Sequence, residues 1–171
     1  MRLSGGEKFE AAIRDIASKL AGGASTLRVG FLEGATYPAR PKAALRKAYA
    51  KKKTAGAIEG SPGTINVASV AFFQEFGTGT IPPRPFFRTM IREKNAEWGP
   101  AFATQLRLTD YDVPRSMEIL GAGIAGQLRE SIIETNSPPL AASTVARKGF
   151  SKPLIDTSHM INSIDHAVVE R

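Results

Sequence analysis

The stretch Met117-Glu118-Ile119-Leu120-Gly121-Ala122-Gly123-Ile124-Ala125-Gly126 decides the fold class. It spells G-x-G-x-x-G behind an apolar run, the pattern of a dinucleotide-binding turn between a strand and a helix. In that arrangement the glycines bring a pyrophosphate against a helix N-terminus, and a βαβ unit with an acid ending its second strand has to follow. Here Ser137-Pro138-Pro139 stands where the second strand should begin, and the sequence beyond it is expected to be too short for such a domain. The alternative is a single helix from Pro114 to Glu134. Met117, Leu120, Ile124, Leu128 and Ile132 then form its buried stripe, and the glycines form a strip of small residues where another helix packs closely.

Upstream of that helix, Phe86, Phe87, Met90, Ile91, Lys94 and Trp98 follow a helical rhythm, with an interruption expected at Gly99-Pro100. Thr78 to Pro85 must be extended or turning, because Pro82, Pro83 and Pro85 exclude a regular helix. Before it, Asn66 can cap a helix running through Val67, Val70, Ala71 and Gln74 to Phe76, with Gly77 closing its C-terminus. Nearer the start, Ser4 and Glu7 have capping-box spacing, Phe9, Ile13, Ile16 and Leu20 mark one apolar helix face, and Gly22-Gly23 ends the helix. Leu27, Val29 and Phe31 then alternate as in a half-buried strand.

Downstream, Ser137-Pro138-Pro139-Leu140 reads as a connector, Ser143 to Lys148 as a short helix stopped by Gly149, and Lys152 to Ile155 as an extended piece. Asp156 or Thr157 can cap a turn of helix through Ile161, and Ser163 to Val169 can form a strand pairing with Leu27–Phe31. Helices and strands do not alternate regularly. The expected fold is therefore α+β, with several helices packed on a small, mostly antiparallel sheet. One domain over 1–171 is expected, carrying a long basic arm or loop inserted at 35–63.

The charge is concentrated in that insertion. Lysine and arginine number 23 against 16 acids, a formal net charge of +7. Arg40, Lys42, Arg46, Lys47, Lys51, Lys52 and Lys53 equal that whole excess, with no acid between Arg40 and Lys53. Such a run suits a phosphate backbone or an acidic patch on a neighbouring subunit. The lone Tyr49 within it is too little for a base-stacking platform, so contact with DNA would be non-specific. The absence of cysteine removes disulfides and thiolate chemistry and fits folding in a reducing compartment. No apolar run approaches the roughly 18 residues of a membrane span, and Met1 to Gly6 lacks a signal-peptide core, so synthesis in the cytoplasm and no membrane contact are expected.

Chemistry-bearing residues are sparse. Asp156, Ser158 and His159 have the letters of a hydrolase triad, but a triad is assembled from separate elements, and a capping aspartate with polar neighbours is the simpler account. His159 and His166, with Asp165 and Glu170 as the nearby acids, make a weak metal set. No enzyme activity, cofactor, catalytic residue or metal ligand is expected. Arg84, between Pro83 and Pro85, is expected to present its guanidinium for docking; an ordinary solvated charge on a turn is the alternative.

Two separated motifs carry a resemblance. Val70-Ala71-Phe72-Phe73-Gln74-Glu75-Phe76-Gly77-Thr78 followed by Ile81-Pro82-Pro83-Arg84-Pro85-Phe86-Phe87-Arg88 resembles the hallmark of tailed-bacteriophage neck and tail-completion proteins. That group is also labelled head–tail joining, virion-morphogenesis or minor-tail-protein-Z-like. Ser137-Pro138-Pro139-Leu140, Thr144-Val145-Ala146-Arg147-Lys148-Gly149, Lys152-Pro153-Leu154-Ile155-Asp156-Thr157 and Met160 are similar to its C-terminal signature, so the resemblance covers about 26–34 and 64–169. The basic insertion at about 35–63 departs from the pattern.

The resemblance implies a virion protein made in the host cytoplasm and placed where the tail meets the head. It implies a homo-oligomeric ring, six-fold by expectation, around the DNA channel and in contact with other neck and tail proteins. It brings no catalytic residues. Ring closure needs one surface to meet a different surface of the next subunit, and Ile81, Arg84, Phe86, Phe87 and Arg88 have the composition of such a contact. A tail-completion or tail-terminator subunit is the expectation, a head-closure (connector) subunit the near alternative. A non-sequence-specific DNA-binding protein using Arg40–Lys53 is the rival from another class, and a dinucleotide enzyme a distant third.

Overall fold

A computed structural model describes residues 6–21, 25–31, 34–37, 65–156 and 158–170, with the side chains of 6–9 and 170 outside the description. Its helices are α1 (Gly6–Leu20), α2 (Val67–Phe76), α3 (Phe86–Leu108), α4 (Val113–Glu134), α5 (Ala142–Lys148) and α6 (His159–Asn162). Its strands are β1 (Ser25–Phe31), β2 (Thr36–Tyr37), β3 (Ile65–Asn66) and β4 (Ile164–Glu170). β1 pairs with β4, and β2 pairs antiparallel with β3. This is the α+β class read from the sequence: six helices among the described residues, packed with a small sheet. The residues group into two compact units. One draws on the chain up to Gly30, Phe87–Ser131 and the chain from Ile164; the other on Phe31–Phe86 and Ile132–Ser163.

The first unit is built around the helix that the glycine motif made ambiguous. Gly121, Gly123 and Gly126 all lie inside α4, a continuous helix, so no strand-to-helix turn exists there to cradle a pyrophosphate. Ile124, Ala125 and Leu128 are buried in this unit, while Ile132, at the other end of the same stripe, is buried in the second. Full burial of a leucine or isoleucine contributes about 1.5–3 kcal/mol, so this stripe is a principal reason α4 forms here.

Small size matters at only one of the three glycines. A Cβ on Gly121 would stand 2.6 Å from His166 Cδ2 and 2.7 Å from Leu27 Cδ1, whereas Gly123 and Gly126 face open space. The close neighbours are side chains of β4 and β1. The expected helix–helix contact is thus replaced by a helix–sheet contact, because the β1–β4 ribbon occupies that face. Glu118 Oε2 lies 2.9 Å from His166 Nε2, tying the same turn of α4 to β4, and Arg129 donates to the Ile164 carbonyl at 2.5 Å.

α3 runs unbroken through Gly99-Pro100, where an interruption was expected. A proline ring disfavours helical backbone at the preceding residue partly by striking its Cβ. Gly99 has none, and its position is open, so the helix continues at the cost of one amide donor. Trp98 Nε1 donates to Gln127 Oε1 at 2.8 Å, joining α3 to α4 just before that point. Between the two helices, Asp110 and Tyr111 adopt left-handed backbone (φ 54° and 64°), and Asp112 Oδ1 accepts from the Arg115 amide to cap α4. Ser116 is fully buried, donates to the Asp112 carbonyl and lies 2.6 Å from Thr109 Oγ1.

In the second unit α2 begins and ends where its sequence directs. Asn66 Oδ1 accepts from the Ala68 amide at 2.7 Å, and Gly77, at φ 77°, donates its N–H to the Phe73 carbonyl. The C-terminal segment is pinned by Lys148, whose ammonium donates to the carbonyls of Lys152 and Ile155 and stands 4.5 Å over the Phe150 ring. α5 stops at Gly149 in left-handed backbone, as expected. α6 starts later than Asp156 or Thr157: Ser158 precedes it with φ 58°, and its side chain makes no capping bond.

Candidate docking surface

The site worth describing is the segment from β3 through α2 to the proline loop, all within the second unit. Its first component is a clamp. Thr36 pairs with Asn66 and Tyr37 with Ile65, so the described residues on either side of 38–64 are held side by side. The His159 ring donates from Nε2 to the Thr36 carbonyl at 2.8 Å and lies 4.8 Å from the Tyr37 ring, and the Val67 amide donates to the Ala35 carbonyl. Burial, and then the negative charge of Asp156, raises the Tyr37 phenol above its ordinary value. Arg40, Lys42, Arg46, Lys47, Lys51, Lys52 and Lys53 lie outside the described residues.

The second component is α2 itself. Val67, Ala71 and Glu75 recur every fourth residue and are buried, which sets the inward face. Phe72 and Phe76 point the other way, 57% and 51% exposed, with their rings 4.7 Å apart. Ile65, next to the helix cap, is 58% exposed. A helix apolar on both faces is ordinarily buried on both. Moreover, from Ile65 to Phe87 the ionisable residues are Glu75 and Arg84, and both are buried. The exposed residues of this segment are therefore apolar, small, prolyl or uncharged polar, and none of them carries a formal charge. Aromatic enrichment with charge depletion is the composition of a protein interface centre.

The third component is the loop, and here the sequence expectation is corrected. Arg84 is not presented to solvent: it is 4% exposed. Its Nε donates to the Pro138 carbonyl at 2.9 Å, Nη2 to the Pro139 carbonyl at 3.3 Å and Nη1 to Gln74 Oε1 at 3.3 Å, and burial lowers its pKa. The cause is the Ser137-Pro138-Pro139 connector, whose carbonyls have no regular backbone partner and take the arginine fork instead. Phe86 is likewise inward, 1% exposed, edge-on to Phe31 with ring centroids 6.4 Å apart. Ile81 is partly exposed and closes a turn with Thr78, its carbonyl accepting from the Thr78 amide at 2.8 Å. Phe87 is partly exposed and Arg88 exposed. Phe72 was missed as a surface residue; the readable sign was an apolar helix with no charge on its second face.

The other candidate chemistry is dispersed. His159 meets Thr36 and Tyr37, not a serine hydroxyl, and Asp156 is exposed. Among the described residues no group of three or more His, Asp or Glu could hold a metal ion, and no helix is long and apolar enough to cross a membrane. No family model, curated protein or solved structure matches the chain.

Proposed function

We propose that this chain is a structural protein of a tailed-phage neck, a tail-completion or tail-terminator subunit that assembles into a ring joining tail to head around the DNA channel. The observation that carries the assembly half of this reading is the uncharged outer face of α2, where Phe72 and Phe76 stand exposed beside the paired Thr36–Tyr37 and Ile65–Asn66. A surface of this kind recognises protein, because it offers a phosphate or a carboxylate no counter-charge. The neck assignment is supported by the two motifs at 70–88 and 137–160. The basic insertion would then reach the DNA channel or a neighbouring ring. A head-closure subunit is the near variant of the same reading.

Electron microscopy of the purified chain and of assembled particles tests it. Rings at the head–tail junction are the expected outcome; a protein that stays a monodisperse monomer at high concentration and never joins tails contradicts it. The DNA-binding rival makes the opposite forecast: tight duplex binding by the isolated chain that collapses as salt rises. Deleting 38–60 separates the roles of arm and body. Loss of head–tail joining with rings intact assigns the joining step to the arm.

A further inference from the structure

The connector between α5 and α6 holds backbone that its residues do not favour. Leu154 adopts left-handed backbone at φ 59°, and Ser158 does so at φ 58°. Around Leu154 the Ile155 amide donates to the Pro153 carbonyl at 2.6 Å, a bond between residues two apart. A positive φ at the residue enclosed by such a bond marks the rare, strained form of the γ-turn. Left-handed backbone is unfavourable for any residue with a Cβ, and leucine has no polar side chain to offset it with a local hydrogen bond. Leu154 is also only partly buried, so it gains less from its place than a core leucine would.

The carbonyls on either side of that leucine supply the reason for the turn. Lys148, the last residue of α5, donates its ammonium to the Lys152 carbonyl at 2.8 Å and to the Ile155 carbonyl. The same ammonium stands 4.5 Å over the Phe150 ring. Burial pushes the Lys148 pKa down; Asp156 opposes that shift, and Arg147 and Arg84 add to it. Each half is unfavourable alone: a desolvated ammonium without acceptors, and a leucine in left-handed backbone. We infer that Lys148 is a latch that holds the 153–155 turn closed against its own strain, and that the turn extends when the ammonium is withdrawn. The consequence reaches α6, because Asp156 follows the turn and His159, on α6, donates to the Thr36 carbonyl. An open turn slackens that hold, so the end of α5 controls how firmly the Thr36–Tyr37 strand is kept in place. All of these residues belong to the second unit.

Residue-resolved amide hydrogen exchange of the full-length chain tests the latch. Gly77, whose amide bonds the Phe73 carbonyl at the end of α2, is the reference. Lys148→Met keeps an apolar stem and removes the charge. Exchange at Ile155, and at Asn162, whose amide bonds the Ser158 carbonyl, should then speed up by about tenfold while Gly77 keeps its rate. Leu154→Gly relieves the left-handed cost and touches none of the Lys148 bonds. Adding it to Lys148→Met should bring Ile155 back to within about threefold of the wild-type rate, a rescue that a lysine serving only general stability would not show. Unchanged exchange at Ile155 in Lys148→Met, an equal acceleration at Gly77, or no rescue in the double variant each overturns the inference. Should Lys148→Met fail to fold, Leu154→Gly alone decides: slower exchange at Ile155 supports the strained turn, and an unchanged or faster rate rejects it.

Discussion

Phe72 in α2 and Phe86 at the start of α3 are the same side chain in the same unit, yet Phe72 is 57% exposed and Phe86 is 1% exposed. Phe72 sits on a helix whose inward face is already filled by Val67, Ala71 and Glu75, so its outward direction follows from the helical period. Phe86 opens α3 directly after the loop that Arg84 anchors to Pro138 and Pro139, and it faces inward with Met90 one turn on. Aromatic and arginine content alone marks both stretches as contact-prone. Only the arrangement separates a surface available to a partner from one spent inside the chain.

That contrast is broken most forcefully at Arg84. Arg84→Met removes charge-assisted bonds to two backbone carbonyls and a side-chain amide, and should lower unfolding stability by about 2–4 kcal/mol in chemical denaturation. A loss below about 0.5 kcal/mol would mean that the guanidinium is not holding the connector, and would return Arg84 to the surface role its sequence context implied.

The glycines of α4 give the next largest effect and sharpen the same lesson. Gly121→Ala drives a methyl into Leu27 and His166 and should cost about 1–3 kcal/mol. Gly126→Ala, with nothing within 4 Å of the new atom, should instead stabilise the helix by about 0.5–1 kcal/mol. Equal damage at both positions in thermal denaturation would contradict the helix-packing account.

Much of the scaffold was legible because local chemistry dictated it. Asn66 and Gly77 bound α2, Gly149 stops α5, and the β1 alternation and its pairing with the terminal strand follow from side-chain periodicity. One miss is local and the other two arise from partners distant in sequence. Gly99 relieves the strain that Pro100 would impose, Gly121 faces a ribbon instead of a helix, and Arg84 meets acceptors 54 and 55 residues away. The face of α2 was half legible, since its apolar second side was visible in the sequence but its exposure was not.

The smallest expected effect concerns the clamp beside α2. Tyr37 is favoured in its neutral form by burial and by Asp156, so its folded pKa lies above the ordinary 10.0. Above about pH 10 the unfolded chain releases this proton first, the folded state binds more protons, and stability from this group falls as pH rises through the folded value. An absorbance titration should show a late tyrosine ionisation, and that late step should vanish in Tyr37→Phe.

The most direct measurement of the central claim is sedimentation of the wild-type chain beside Phe72→Ser/Phe76→Ser, with denaturation profiles recorded for both. The account predicts that wild type associates into a defined oligomer, and that the double variant keeps its stability to within about 0.5 kcal/mol while losing that association. Equal oligomer masses for the two proteins would show that α2 is not the surface through which this chain assembles.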